Sequence, residues 1–225
     1  MLLHIPEVFS KAQVLALRQV LDGGMWVDGA ISAGPLAAKA KRNQQFSTES
    51  ADYAALSKAV VDALAQHPLF VSAALPQHVL PAMFNRYSDG NTYGNHVDNA
   101  IQTNASNGER VRTDISITVF LSEPEDYTGG ELVIEDTYGS HEVKLPAGDA
   151  IIYPSSSLHR VEAVTEGARI ASFLWAQSLV RDAWKRNMLF ELDMTLLKLR
   201  GQLGNSQEII ALTGHYHNLL RQWSS

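Results

Sequence analysis

Apolar residues recur at helical spacing in two stretches near the start of the chain. In "SKAQVLALRQVLDGG", Val14, Leu17, Val20 and Leu21 follow Ser10 and Gln13, a pair three residues apart that caps a helix reciprocally. Gly23 and Gly24 stop that helix. In "ESADYAALSKAVVDALAQHP", Tyr53, Leu56, Val60 and Leu64 form a second stripe, and Pro68 marks its end. From residue 79 the period falls to two. "AMFNRYS" reads as a strand. "TDISITVFLSE" alternates, with Ile115, Ile117, Val119 and Leu121 on one face and Asp114, Ser116, Thr118 and Phe120 on the other. "GGELVIEDTYGSHEVKLPAGDAIIYPSSSLHRVEAV" reads as several short strands joined by Gly, Pro and Asp turns, and "ARIASFLWAQS" as one more. Short strands at this spacing predict a sandwich or barrel.

Past residue 180 the helical period returns. Trp184, Met188, Leu192, Leu196 and Leu199 make a stripe, which Gly201 and Gly204 break. Asn205 and Glu208 can cap a last helix carrying Ile209, Leu212, Tyr216, Leu219 and Trp223. The pattern predicts a mainly β protein with flanking helices: two N-terminal helices, a β core over about 79–178, and a helical C-terminal appendage. The expected division is residues 1–178 and 179–225. The apolar tail stripes predict packing on the core and a two-fold homodimer.

Composition narrows the class. The 225 residues suit one domain with a small appendage. A net charge of −6 argues against a nucleic-acid partner. No apolar run approaches the ~18 residues of a membrane span. "MLLHIPEVFSKAQ" lacks a basic n-region, so no signal peptide is expected and the cytoplasm is the expected compartment. With no cysteine, disulfides, thiolate nucleophiles and Cys-based metal sites are excluded.

Among eight histidines, one pattern stands out. In "YGNHVDNAI", His96 and Asp98 are two apart, so in an extended segment they share a face and converge on one ion. His215 and His217 have the same spacing on a predicted helix, where they diverge by ~200°. His4, His67, His78 and His141 have no acidic or histidine neighbour at ligand spacing, which predicts structural or surface roles. His159 closes the Pro-Ser loop of "AGDAIIYPSSSLHRV". With His96 and Asp98 it completes two histidines and a carboxylate, the facial triad of non-haem Fe(II) oxygenases. Zinc hydrolases use the same donor set, so the triad alone does not select the metal.

Arg169 bears on the choice. It opens the strand "RIASFLWAQ" on one face with Ala171, Phe173, Trp175 and Gln177. A guanidinium near a metal can hold a carboxylate through two parallel charge-assisted bonds, which a chelating dicarboxylic keto acid would use and a zinc hydrolase would not. A rim arginine paired with a surface carboxylate is the plainer alternative. Two other classes stay open, a zinc-dependent hydrolase and a non-catalytic jelly-roll binding module.

"NRYSDGNTYGNHVDNAI", "TGGELVIED", "GDAIIYPSSSLHRVEAVTEGARIASFLW" and the helical tail together resemble Fe(II)/2-oxoglutarate-dependent dioxygenases of the prolyl-4-hydroxylase type, and more narrowly the bacterial PKHD-type hydroxylases. The resemblance spans nearly the whole chain. It implies a double-stranded β-helix (jelly-roll) core with N-terminal helices on one sheet. It puts the iron ligands on His96, Asp98 and His159 and the oxoglutarate anchor on Arg169. It lays Tyr87 against the co-substrate and Tyr93 at the pocket mouth. Phe120 falls where relatives offer a hydroxyl, which leaves Thr118 as the candidate donor. Asn95 and Asn99 flank the ligand pair, as donors to it or as turn formers. The implied chemistry is O2-dependent decarboxylation of 2-oxoglutarate to succinate and CO2 with hydroxylation of a substrate C–H bond, assisted by L-ascorbate. Residues 22–46 and "DNAIQTNASNGERVRT" are polar enough to act as lids over a substrate of unknown identity.

Overall fold

A computed structural model of the chain describes residues 1–32, 40–105 and 107–224. The first third contains β1 (Leu3–Ile5), α1 (Lys11–Asp22), β2 (Trp26–Asp28), β3 (Lys41–Arg42), β4 (Gln44–Phe46), α2 (Tyr53–Gln66) and α3 (Pro68–Ala74). Then come β5 (Pro76–Val79), β6 (Met83–Tyr87), β7 (Asn91–His96), β8 (Ile101–Thr103), β9 (Arg110–Arg112) and β10 (Ile115–Phe120). The remainder is β11 (Tyr127–Gly129), β12 (Leu132–Asp136), β13 (Gly139–Val143), β14 (Ala150–Pro154), β15 (His159–Gly167), β16 (Arg169–Ser178), α4 (Ala183–Leu203) and α5 (Gln207–Trp223).

The strands form two large antiparallel sheets. One has the order β1-β14-β10-β16-β6-β4-β2, with β5 also on β16; the other is β13-β12-β15-β7-β3, with β11 also on β15. Strands β8 and β9 form a separate hairpin. The alternation of β10 sorts its side chains as its sequence predicts. Ile115, Ile117, Val119 and Leu121 join Val14, Leu17, Leu21, Val60, Leu64 and Phe70 of the N-terminal helices in one core. On the opposite face, Phe120 joins Tyr87, Tyr153, Leu132, Ile134 and Val161 in a second core between the two sheets. Ser116 and Thr118 share that inner face and open onto a pocket.

The cap of α1 forms as expected: Gln13 N donates to Ser10 Oγ (3.3 Å) and Ser10 N to Gln13 Oε1 (2.9 Å). Other expectations need correction. The second helix does end just before Pro68, at Gln66, but helical structure then resumes, because Pro68 opens α3 at a position where a helix needs no N–H donor. Gly201 does not break the tail helix, which runs through it to Leu203. The inward stripe of α4 is also rotated. Leu189 and Leu196 are buried against Leu75, Val180 and Tyr216, whereas Trp184 is 74% exposed and Met188 46%. The cause is local. Arg186 takes an inward position, its guanidinium donating to Val180 O (2.8 Å), which turns Trp184 and Met188 outward. Residues 22–46, expected as a lid, contribute β2, β3 and β4 to the sheets; the part at 33–39 lies outside the described residues.

Gly129 shows how tightly the smaller sheet is seated. It has φ +77° at a register shift between β11 and β15, and an added Cβ would meet Ala163 O at 2.0 Å. A left-handed conformation costs a non-glycine residue about 1–2 kcal/mol before the clash is counted. Gly129→Ala is expected to destabilise the fold by at least that amount, lowering Tm by about 2–4 °C per kcal/mol in a chain of this size. Thermal denaturation followed by circular dichroism measures it, and an unchanged Tm would contradict the bulge as described.

Candidate active site

His96 ends β7 and His159 begins β15, and the two are direct cross-strand partners in the smaller sheet. Asp98 lies two residues beyond His96, where the chain leaves the sheet. These three are the only group of metal-ligating side chains among the described residues whose donor atoms all lie within 4.8 Å of one another. His96 Nε2 is 3.9 Å from Asp98 Oδ1, and His159 Nε2 is 3.8 Å from Asp98 Oδ2. Both gaps are too long for hydrogen bonds.

The tautomers follow from the far side of each ring. His96 Nδ1 is 2.8 Å from Gly94 O and His159 Nδ1 is 3.0 Å from Ser157 O. A carbonyl only accepts, so each Nδ1 carries a proton, and in the neutral imidazole each Nε2 presents a lone pair to the cluster. Two lone pairs and a carboxylate thus face one another with no proton between them. That arrangement repels itself unless a cation enters, and its donor set is the one a divalent iron takes. Burial pushes the His96 imidazole down to about 4, with the adjacent His159 adding to the effect, so His96 is neutral and able to ligate at pH 7.

Arg169 stands at the start of β16, opposite Tyr87 of β6. It is 1% exposed, and its Nε and Nη1 have no hydrogen-bond partner among the described residues. The rings of Phe120 and Tyr87 lie 5.2 and 5.5 Å from the guanidinium carbon. This is not a rim arginine paired with a surface acid. A buried guanidinium with unused donors is costly until an anion completes it, and Arg169 lines the same pocket as the three candidate ligands. Burial holds the Tyr87 phenol up at about 12, so it is a neutral donor beside the guanidinium.

Residues 82–177 match the family description "2OG-Fe(II) oxygenase superfamily", and residues 183–225 match "PKHD-type hydroxylase C-terminal domain". A PKHD-type hydroxylase of Hyphomonas neptunium is 59% identical over 224 residues, covering 100% of this chain and 99% of the relative. The chain belongs to the PKHD-type hydroxylases. A second member, from Janthinobacterium sp., is 56% identical over 224 residues with the same coverage. The fold is shared more widely. A viral collagen prolyl hydroxylase from Paramecium Bursaria Chlorella virus-1 superposes with a TM-score of 0.53 at 16% identity, over 79% of this chain and 96% of that one. This PKHD-type hydroxylase is accordingly an enzyme of the 2-oxoglutarate-dependent oxygenases.

The rest of the hydroxylase pocket was less visible in sequence. Tyr93 stacks on His96, with ring centroids 3.6 Å apart and planes inclined by 19°. Lys41 is the cross-strand partner of Tyr93, and its ammonium lies 5.3 Å from the Tyr93 ring and 5.5 Å from the Phe173 ring. Burial lowers its pKa to about 8, against the opposing pull of Asp98 and Asp28. No motif announced Lys41, because β3 is two residues long and its place depends on pairing with β7. Asp98 Oδ2 accepts hydrogen bonds from Ser116 Oγ (2.5 Å) and Trp175 Nε1 (2.8 Å). Their signal was the inward face of β10 and the face that Trp175 shares with Arg169. Thr118 lines the pocket, while Phe120 covers the guanidinium. Asn95 is exposed and points away from the face His96 uses, and Asn99 lies at the pocket edge. In the second lid candidate, β8 and β9 form a hairpin whose Gln102 reaches the pocket; Ser106 lies outside the described residues.

Four other histidines make contacts away from the pocket. His4 Nε2 meets Asp149 Oδ2 at 2.7 Å, His141 Nε2 meets Asp136 Oδ2 at 2.8 Å, and His67 Nε2 lies 3.0 Å from Pro6 O. His78 Nδ1 lies 3.7 Å from Glu109.

Neutral His96 makes the metal-free protein sensitive to acid. In an unfolded chain a histidine takes its proton near the ordinary 6.5; in the fold His96 takes it only near 4. The unfolded state therefore binds the proton first, and stability present above about 6.5 is lost as pH falls toward about 4. The Tm of chelator-treated protein is expected to fall across that window, and His96→Asn is expected to flatten the fall. A His96→Asn variant that tracks the parent protein over the window would contradict this assignment.

Proposed function

We propose that this chain is an Fe(II)- and 2-oxoglutarate-dependent hydroxylase in which His96, Asp98 and His159 hold the iron and Arg169 holds the far carboxylate of 2-oxoglutarate. The observation that carries the reading is the pairing, in one pocket, of three proton-free ligand atoms with a fully buried guanidinium that still has donors to give. A zinc hydrolase on the same triad would have no use for that guanidinium. In this reading the two antiparallel sheets are the halves of a double-stranded β-helix, or jelly roll. Residues 1–178 are the catalytic domain and residues 179–225 a helical appendage; family matches ending at 177 and resuming at 183 support that boundary.

Bound Fe(II) supplies the O2 chemistry, in which 2-oxoglutarate is decarboxylated to succinate and CO2 and a substrate C–H bond becomes an alcohol. The protein supplies position and exclusion. His96 and His159 present Nε2 through Nδ1–H bonds to the carbonyls of Gly94 and Ser157. Arg169 anchors one end of the co-substrate at the buried end of the pocket, with Tyr87 lying against it. Tyr93 stacks on His96 and screens it from water. L-ascorbate is the expected auxiliary reductant. The substrate is a small molecule or a peptide or protein side chain, neither nucleic acid nor membrane. No described helix is long and apolar enough to cross a membrane, and cytoplasmic residence is the reading adopted.

Replacing His96 or Asp98 with Ala is expected to abolish Fe(II)-dependent decarboxylation of 2-oxoglutarate. Arg169→Lys keeps the charge and loses the fork. A charge-assisted bond contributes about 1.5–3 kcal/mol, so the KM for 2-oxoglutarate should rise about 10- to 150-fold. Iron affinity, measured by anaerobic titration, should hardly move. An Arg169→Ala variant that loses iron yet keeps its KM for 2-oxoglutarate would refute the assignment.

The tail carries a separate proposal. Trp184 (74% exposed), Leu203 (62%) and Ile210 (61%) are apolar side chains that α4 and α5 leave uncovered. We assign them to a two-fold interface with a second copy of the chain. Sedimentation at micromolar concentration should give a dimer, and a monomer would remove the proposal.

A further inference from the structure

Asp98 is the one candidate ligand without a backbone carbonyl to orient it, and its orientation comes from elsewhere. Its Oδ2 receives Ser116 Oγ at 2.5 Å and Trp175 Nε1 at 2.8 Å. Ser116 Oγ is also 2.8 Å from Ser155 Oγ. Proton counting fixes the direction of this chain. A carboxylate accepts only, so the single Ser116 proton goes to Asp98; Ser116 then has no proton left for Ser155, and Ser155 must donate to Ser116. The indole has only a donor to offer, so its direction is fixed too. Both lone pairs of Oδ2 are thereby engaged, and Oδ1 is left facing His96 Nε2 at 3.9 Å.

The donors are themselves held. Ser116 and Trp175 are cross-strand partners on β10 and β16, so one register row delivers both to the same oxygen. Ser116 is 2% exposed and Ser155 3%. The Trp175 ring packs edge-on against Phe173 and lies in a cluster with Leu80 and Val111. Ser155 belongs to the turn that presents His159, so the same few residues set two ligands at once.

We infer that the Ser155–Ser116 hydroxyl chain and the Trp175 indole are positioning groups that confine Asp98 to one-oxygen ligation through Oδ1. This rests on the metal reading above. Without the two donors, Oδ2 is free to join Oδ1 on the ion or to swing toward His159, 3.8 Å away, and the coordination positions left for co-substrate and O2 become fewer or displaced. Groups that orient metal ligands in this way typically change affinity or activity by about 10- to 100-fold when removed.

The test uses the full chain with Fe(II) under argon and, separately, with Co(II), whose visible ligand-field bands report coordination number. Ser116→Ala and Trp175→Phe should each weaken metal binding by about tenfold or more and alter the Co(II) bands. Ser116→Thr, which keeps the hydroxyl, should retain both. At saturating iron kcat should fall and the KM for 2-oxoglutarate should rise, because the displaced positions are those that receive the co-substrate. Loss of thermal stability in the metal-free variants with unchanged affinity and unchanged Co(II) bands would reduce both residues to packing and overturn the inference. Asp98→Ala separates the two levels. If it loses the metal while Ser116→Ala and Trp175→Phe do not, the positioning role alone fails; if it keeps the metal, the ligand assignment fails and this inference with it.

Discussion

Three electron pairs pointed at one another, with no proton among them, make the constraint around which this molecule is arranged. The Nε2 atoms of His96 and His159 and the carboxylate of Asp98 stand close enough to repel and too far apart to hydrogen-bond. A flexible chain would relieve that repulsion by moving a side chain into water. Here each candidate ligand is braced from behind: the two rings through their Nδ1 protons to Gly94 and Ser157, and the carboxylate through Ser116 and Trp175. Each brace sits on or beside a paired strand, so the repulsion is held in place by the backbone hydrogen bonds of two sheets.

The same logic governs the charges in the pocket. Arg169 is buried with unsatisfied donors, and Lys41 is buried enough to lower its pKa to about 8. Burial imposes a desolvation cost on both. Rings surround each of them, Phe120 and Tyr87 at Arg169 and Tyr93 and Phe173 at Lys41, so a polarisable wall stands where water would otherwise be. A pocket arranged this way is complementary to anions and to a cation together, which is the requirement of a metal that is chelated by a dicarboxylate.

The helices serve the site from a distance. Apolar residues of α1, α2 and α3 cover the outer face of β10, so its polar inner face is free to line the pocket. The tail docks on the far end of α3 through Leu75, Leu189, Leu196 and Tyr216, and Ser72 Oγ donates to Asp193 Oδ2 at 2.5 Å. Among the described residues, none of the tail lines the pocket.

Much of the site was legible in the sequence because its signals are local. The His96–Asp98 spacing, the alternation of β10, the position of Arg169 at the start of its strand and the Ser10–Gln13 cap each depend on neighbours within a few residues, where strand and helix periodicity act directly. What tertiary structure alone decided is pairing. His159 became a ligand candidate in space because β15 registers it against His96. Trp175 and Ser116 reach one oxygen because β16 and β10 are aligned in that register, and Lys41 enters the pocket because a two-residue strand pairs with β7. The outward turn of Trp184 and Met188 likewise followed from a contact of Arg186 with Val180 O rather than from helical period. A period of two or 3.6 says which residues share a face. It cannot say which strand lies beside it, because register is set by the summed packing of both faces and by loops whose own conformation depends on the same assembly.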